Sequence, residues 1–363
     1  MISTGKRSLV SWMVPIFLVV AIKIFSLFPG AVERYYATGI YPVLARLLRV
    51  LFGWLPFSIG DILYLIVAIW LVVGLIIFFK KLFRRELTRS YFQRLGSSFL
   101  RLALYVYIIF NLFWGLNYNR RGIAYQLELE VKPYSTRDLC DVVQTVVQRL
   151  NDLDSVSRIE RPQLKERNFL FASSVESYRI LSDRDLIFTY PSPSVKSSMF
   201  STLGNYLGFT GYYNPFSGEA QVNTTVPVFI QPFTTCHEIG HQLGYAKENE
   251  ANFAGYLSGK SSSNMAFRYS VYFDVYIYAA SQLYVRDSTL AITLRNQLRP
   301  AVRKDFLDLR KFFTRYESPL EPFIRRLYGR YLKANNQPQG ILTYDEVVAW
   351  LVAYTKRYGN DAL

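Results

Sequence analysis

The feature that most restricts the fold is an uncharged apolar run of 18 residues, Ile62–Phe79. As an α-helix, at about 1.5 Å per residue, a run of this length approaches the roughly 30 Å thickness of the hydrocarbon core of a bilayer. Leu9–Phe28 and Leu102–Leu116 have the same character. We therefore predict a membrane domain over residues 1–118, with three transmembrane helices at about 9–28, 60–80 and 99–118.

The positive charge of the chain is concentrated in this membrane domain. Residues 1–121 contain 15 Lys and Arg against three acidic residues, so they carry +12 of the formal net charge of +15. This distribution excludes a nucleic-acid-binding domain and instead resembles the basic flanks of membrane helices. Because the basic 80–101 segment is expected in the cytoplasm, three crossings would place residues 119–363 on the extracytoplasmic side. The connection over residues 31–56 is predicted to form an amphipathic helix at the membrane surface.

The remaining residues, 119–363, predict a second, mixed domain. Ser135 is a candidate N-cap for a helix that runs to about Leu153, and a second helix is predicted over Pro162–Leu181. Strands are predicted over Asp185–Tyr190, Ser198–Tyr213 and Glu219–Val228, with a turn at Asn214–Gly218 between the last two. The expected fold class is therefore mainly α with a small β-sheet, in which N-terminal transmembrane helices precede an α+β domain.

The second domain contains a motif typical of a metal site. His237 and His241, the only two histidines of the chain, are four residues apart, so on a helix they lie on one face and can bind one Zn²⁺. Glu238 lies beside them, where it can act as the general base of a metallohydrolase. Gly244 can end this helix in a left-handed turn, after which a second helix is predicted to begin near Lys247.

Two acidic residues of the second helix are candidates for the third metal ligand. Glu248 and Glu250 are about 200° apart on a helix, so only one of them can face the metal. Glu248 has Asn252 four residues later on the same face, where Asn252 could orient a ligating histidine. Glu250 would be paired with Ala254, which can orient nothing. We predict Glu248 as the ligand and keep Glu250 as the alternative.

The predicted hairpin before the motif supplies weaker candidates. A metallopeptidase could bind an extended substrate along such a strand by β-augmentation, although a purely structural hairpin is equally compatible with the sequence. Tyr212, Tyr213 and Asn214 could then contact substrate, and a tyrosine hydroxyl could stabilise an oxyanion.

These motifs resemble a known group of proteins. HEIGH followed by ENEAN is similar to the gluzincin metallopeptidases, in which the third ligand begins a Glu-x-x-x-Asp/Asn pattern on a later helix. The strings GYYNPFSGEAQVN, PFTTCHEIGHQLGYAKENEANFAGYL and YLKANNQPQGILTYDEVVAWLVAY resemble a bacterial family of multi-pass membrane proteins assigned to the zincin-like group. The resemblance implies a zincin-like catalytic domain, bound zinc and a location in the bacterial inner membrane. The short gap after His241 differs from that of the membrane proteases of the CaaX-prenyl type.

The expected function is a membrane-anchored, zinc-dependent hydrolase that acts on a peptide or protein and uses Glu238 as its general base. Two alternatives stay open. The domain could be a catalytically silent zincin-fold sensor or scaffold that uses the metal for stability. It could also be a metal-dependent hydrolase of lipid or cell-wall material, although no specific residue of the sequence supports this alternative.

Overall fold

Helices dominate the described residues, in which three short strands interrupt them. The computed structural model describes residues 4–340, 346–359 and 362–363; residues 341–345, part of the last string quoted above, lie outside the described residues. The predicted class, mainly α with a small β-sheet, is confirmed.

The described residues up to Phe113 contain the candidate membrane helices. Their elements are α1 (Thr4–Ser26), α2 (Pro29–Ala31), a π-helix (Val32–Ile40), α3 (Tyr41–Phe52), α4 (Ile59–Phe83) and α5 (Arg89–Phe113). Among the described residues, α4 and α5 are long and apolar enough to cross a membrane. A third span results only if Ser11–Ser26 and Pro29–Phe52, which meet at a 96° bend, are counted as one.

The helix that contains most of the predicted third span, 99–118, has different ends. Helix α5 begins ten residues earlier, after Thr88, whose side chain accepts a hydrogen bond from the amide of Tyr91. It ends at Phe113, and the chain continues as a 3₁₀-helix, Gly115–Asn119. Leu116 and Tyr118 are buried within the protein. Their hydrophobicity therefore serves the protein core, which sequence alone does not distinguish from lipid contact.

The predicted surface helix within 31–56 is present as the π-helix followed by α3. One face of α3 is buried and includes Tyr41 and Arg49, whereas Val43 and Leu47 on the opposite face are exposed. Apolar side chains thus lie on both faces of α3, and the location at a membrane surface stays a prediction. The buried face contacts the helix that carries the two histidines.

The elements after residue 119 surround the predicted metal site. They are α6 (Ile123–Gln126), α7 (Thr136–Glu160), α8 (Arg167–Ser182), β1 (Val195–Ser197), α9 (Ser201–Leu207), β2 (Gly211–Asn214), β3 (Glu219–Val222), α10 (Gln231–Gln242), α11 (Glu248–Ser261), α12 (Met265–Arg286), α13 (Ser288–Asn296), α14 (Pro300–Arg315), α15 (Glu321–Ala334) and α16 (Val347–Tyr358). Ser135 caps α7 as predicted, in a capping box with Asp138. Helix α7 packs along α12 in the main hydrophobic core.

The sheet is smaller than predicted. β3 lies in the centre, parallel to β1 and antiparallel to β2, and the turn between β2 and β3 begins at Asn214 as expected. Asp185–Tyr190 is not a strand, because the Asp185 side chain caps a 3₁₀ turn, Leu186–Phe188. Most of Ser198–Tyr213 is also not a strand, since it contains α9, and β3 ends at Val222. Short apolar runs do not distinguish strands from helical segments, which explains these errors.

Candidate metal centre

Two consecutive helices, α10 and α11, carry the predicted site residues. Helix α10 ends at Gln242, and Gly244 adopts a φ of +87°, a left-handed conformation that glycine adopts without strain. Helix α11 begins at Glu248 after the N-cap residue Lys247. The predicted helix end and restart are confirmed.

Small residues bring the two helices close together. A Cβ atom added at Gly255 would lie 2.9 Å from the amide nitrogen of His237, and one added at Gly240 would lie 3.3 Å from the Cα of Ala251. Larger side chains at either position would force the helices apart. This close approach allows a side chain at the start of α11 to reach the histidines of α10.

Glu248 is the side chain that reaches them. Its Oε2 atom lies 3.3 Å from Nε2 of His237 and 3.6 Å from Nε2 of His241. Ligands at about 2.0–2.1 Å from a tetrahedral zinc ion are about 3.3–3.4 Å from one another, so this spacing fits a shared Zn²⁺. Potential ligand atoms of His237, Glu238 and His241 also lie within 4.8 Å of one another. All four side chains are buried.

Contacts behind the histidines orient one of them. The backbone carbonyl of Tyr245 lies 2.8 Å from Nδ1 of His241, and a carbonyl can only accept, so Nδ1 carries the proton and Nε2 is left for a metal. The carbonyl of His241 in turn accepts hydrogen bonds from Trp114 and Tyr41. Arg49 donates to the carbonyl of Gln242. Residues that precede 119, on the other side of the predicted domain boundary, thus donate hydrogen bonds to the backbone carbonyls of the last turn of α10.

Burial and mutual charge shift the pKa values of the metal-free site. Burial raises the pKa of Glu238 to about 7, against the opposing effect of the two histidines. The pKa of Glu248 is far below its usual value because the attraction of His241 and His237 exceeds the opposing effect of burial. Burial acts to lower the pKa of His241, but the Glu248 carboxylate outweighs it and raises the pKa to about 9. In the metal-free site Glu248 is therefore an anion paired with the protonated His241 side chain, and a bound metal would displace the proton from Nε2.

Glu250 points away from the histidines, as the helical geometry predicts. Its carboxylate occupies the space beside Gly122, where an added Cβ atom would be 1.9 Å from Oε1, and lies 3.9 Å from the Nζ of Lys247. Burial raises the pKa of Glu250. Asn252 is buried one turn after Glu248, and its Nδ2 donates to no residue in the described part of the chain. The orienting role predicted for Asn252 stays a prediction.

The candidates of the hairpin lie in different places. The Tyr212 hydroxyl donates to Asp61, at the start of α4, so it is turned away from the histidines. Tyr213 packs against Trp114, and the Asn214 side chain accepts from the amides of Phe216 and Ser217 within the turn. The residue of β2 that reaches the site is Gly211, next to Glu238.

Two further residues of the site escaped sequence reasoning. The Tyr328 hydroxyl donates to Oε1 of Glu248 at 2.6 Å. The second is Asp274 of α12: burial raises the pKa of its carboxyl to about 7, and the charge of His237 acts in the opposite direction. Asp274 is the only acid in the apolar stretch 269–279, a signal that could have identified it. Nothing in the sequence around Tyr328 indicates its position.

The fold and the cluster define a mostly helical protein with two candidate membrane spans and a buried His-Glu-His group that could hold a metal ion. A model of the family described as "Protein of unknown function (DUF3810)" matches residues 36–352, so the chain belongs to this family. No curated protein and no solved structure matches the chain.

Proposed function

We propose that the protein is a membrane-anchored, zinc-dependent hydrolase with a zincin-like site, and that it cleaves a peptide or protein. The observation that carries the proposal is the convergence of Glu248 Oε2 on the Nε2 atoms of both histidines, at 3.3 and 3.6 Å, with Glu238 alongside. His237, His241 and Glu248 would hold the zinc ion. When bound, zinc supplies Lewis acidity that polarises a carbonyl and lowers the pKa of water to about 7.

Glu238 has the role of general base. It is buried, it lies beside the histidines, and its Oε2 accepts no hydrogen bond from any residue in the described ranges. A carboxylate in this position can accept a proton from water and return it to a leaving group. The adjacent β2 is one of the two edge strands of the sheet, and Gly211 begins it next to Glu238. An extended peptide could pair with this edge within reach of the base, which favours a peptide substrate.

Tyr328 is a positioning residue in this proposal. Because its hydroxyl donates a hydrogen bond to Oε1 of Glu248, Oε2 is the oxygen that faces the histidines. In this proposal the spans lie in the bacterial inner membrane, and the catalytic domain lies outside the cytoplasm.

The test uses the full-length protein in lipid discs, with metal analysis and a peptide library as substrate. Glu238→Gln should keep stoichiometric zinc while turnover falls by about a hundredfold or more, because a general base contributes on that scale. His237→Ala and His241→Ala should lose the metal. Glu250→Gln, which also removes a buried carboxylate of this region, is the matched control and should keep both metal and turnover.

Other outcomes would reject the proposal. Metal retained by both histidine variants would show that the site is misplaced. Full activity of Glu238→Gln would remove the general-base mechanism. Stoichiometric zinc without hydrolysis of any peptide would favour the sensor or scaffold, and cleavage of lipid or cell-wall material alone would change the substrate class.

A further inference from the structure

Helix α15 exposes a row of apolar side chains. Leu320, just before the helix, is 60% exposed, and Phe323, Leu327 and Tyr331 are 56%, 44% and 38% exposed. Their spacing of three, four and four residues places them along one face of a helix. Burial within this chain does not account for the row, and contiguous exposed apolar groups mark a contact surface.

A second exposed face of the same helix is basic. Its four cations, together with Gly329 and Gly340, line a surface cavity of about 500 Å³; they are Arg325, Arg326, Arg330 and Lys333. All four are exposed, and none forms an ion pair with a carboxylate in the described part of the chain. Negative charge on a ligand would therefore complement this face. We refer to the apolar row and the four cations together as the α15 surface.

The C-terminal end of α15 lies against the end of a candidate span. The Tyr331 hydroxyl is 3.1 Å from that of Tyr118, and its ring centroid is 6.5 Å from that of Phe110, in the last turn of α5. Ile109 and Leu112, which neighbour Phe110, are exposed as lipid-facing residues would be. The apolar row of α15 thus continues the apolar surface of α5.

The N-terminal end of α15 is connected to the other candidate span through α9. The Ser318 hydroxyl donates to the carbonyl of Tyr206 in α9. The amide of Met199, just before α9, donates to Asp61 in the first turn of α4. The short connection between α4 and α5 places the start of α4 and the end of α5 on the same side of a bilayer. Helix α15 is therefore attached at both ends to one membrane face.

We propose that the α15 surface lies in the headgroup layer of a leaflet that contains anionic lipids. Its apolar row would reach the acyl boundary, and its cations would pair with lipid phosphates, which is how amphipathic basic helices bind membranes. A bilayer fits better than a protein partner because the row continues the surface of a span. Tyr328 lies one turn before Tyr331, and the centroids of their stacked rings are 6.0 Å apart. Because the Tyr328 hydroxyl donates to Glu248, the lipid-bound helix also contacts the metal site. This inference holds whether or not the site is catalytic.

Hydrogen–deuterium exchange of the full-length protein tests the proposal. The amides of α15 are compared in lipid discs of phosphatidylcholine alone and in discs that also contain phosphatidylglycerol. We expect exchange to slow by at least about tenfold in the anionic discs, since each cation near such a surface contributes appreciably. The protection should disappear at about 1 M salt, where the Debye length is about 3 Å.

Matched variants complete the test. Replacement of Arg325, Arg326 and Arg330 by Gln should abolish the lipid-dependent protection, whereas the same loss of charge on α14, by Arg303→Gln, Arg310→Gln and Lys311→Gln, should leave it intact. Phe323→Gln with Leu327→Gln should raise the exchange of α15 in both kinds of disc. Equal exchange in the two lipid mixtures, equal effects of the two charge variants, or protection by inorganic phosphate in detergent would each overturn the proposal.

Discussion

Gly211 and Glu238 are in such close contact that any side chain at position 211 would displace a neighbouring atom. A Cβ atom added at Gly211 would lie 2.6 Å from Oε1 of Glu238, 2.9 Å from its Cγ, and 2.9 Å from the Cγ2 of Thr234. Distances below 3.0 Å require a displacement, and the flexible end of Glu238 is the part that can move. The start of the edge strand thus determines where the proposed general base lies.

Gly211→Ala should therefore lower turnover and leave metal binding unchanged. We expect turnover to fall by about a hundredfold, approaching the effect of losing the base, because the carboxylate is pushed from its position. Zinc content, measured on the purified protein, should stay stoichiometric. Gly74→Ala is the control, since an added Cβ there meets nothing within 4 Å. Loss of zinc in Gly211→Ala would mean that β2 supports the ligands rather than the base.

The choice between the two acids of α11 gives a second prediction. Glu248→Ala should release zinc, because Glu248 Oε2 is the carboxylate oxygen that faces both histidines. Glu250→Ala should keep zinc and instead lower the free energy of unfolding, since Glu250 fills the space beside Gly122. Metal analysis and thermal unfolding of both variants separate these effects. The reverse metal result would assign the ligand to Glu250.

Tyr328 gives a third prediction, which tests positioning rather than ligation. Tyr328→Phe removes the hydroxyl that holds Oε1 of Glu248 and should weaken zinc affinity by about 10- to 100-fold, the usual effect of removing a group that orients a ligand. Tyr331→Phe is the matched control on the same helix, because its hydroxyl pairs with Tyr118 instead. Competition titration against a chelator measures both affinities. An unchanged affinity in Tyr328→Phe would remove this residue from the site.

Sequence reasoning was most successful where one helix determines the geometry. The i, i+4 spacing of His237 and His241 and the 200° separation of Glu248 and Glu250 depend only on helical periodicity, and the structure has both arrangements. Gly244 was a reliable helix end for the same reason, because its conformation is a local property.

Contacts between residues distant in the sequence could not be predicted from helical periodicity. Tyr328 lies 80 residues after Glu248, and no local pattern connects the two. The C-terminal end of the third predicted span also depends on tertiary contacts. Leu116 and Tyr118 are as hydrophobic as lipid-facing residues, but they pack inside the protein. Helix α9 was predicted as strand because a short mixed segment lacks a decisive period.

The last prediction concerns membrane topology, against which Arg120 and Arg121 argue by their position just after the third predicted span; the structure accounts for the first of them. Arg120 follows the third span on the side expected to be extracytoplasmic, where a cation is unfavourable. Its guanidinium is buried and lies 2.7 Å from the Glu33 carboxylate, so this charge is compensated within the protein. The basic residues near the connection between α4 and α5 have no comparable buried partner in the described part of the chain and should remain in the cytoplasm.

A reporter enzyme that is active only outside the cytoplasm should therefore be active when fused at the C-terminus. The same enzyme inserted within 84–88, between α4 and α5, should be inactive, with equal expression verified by immunoblot. Activity at the inner connection alone would place the metal site in the cytoplasm and reverse the proposed location.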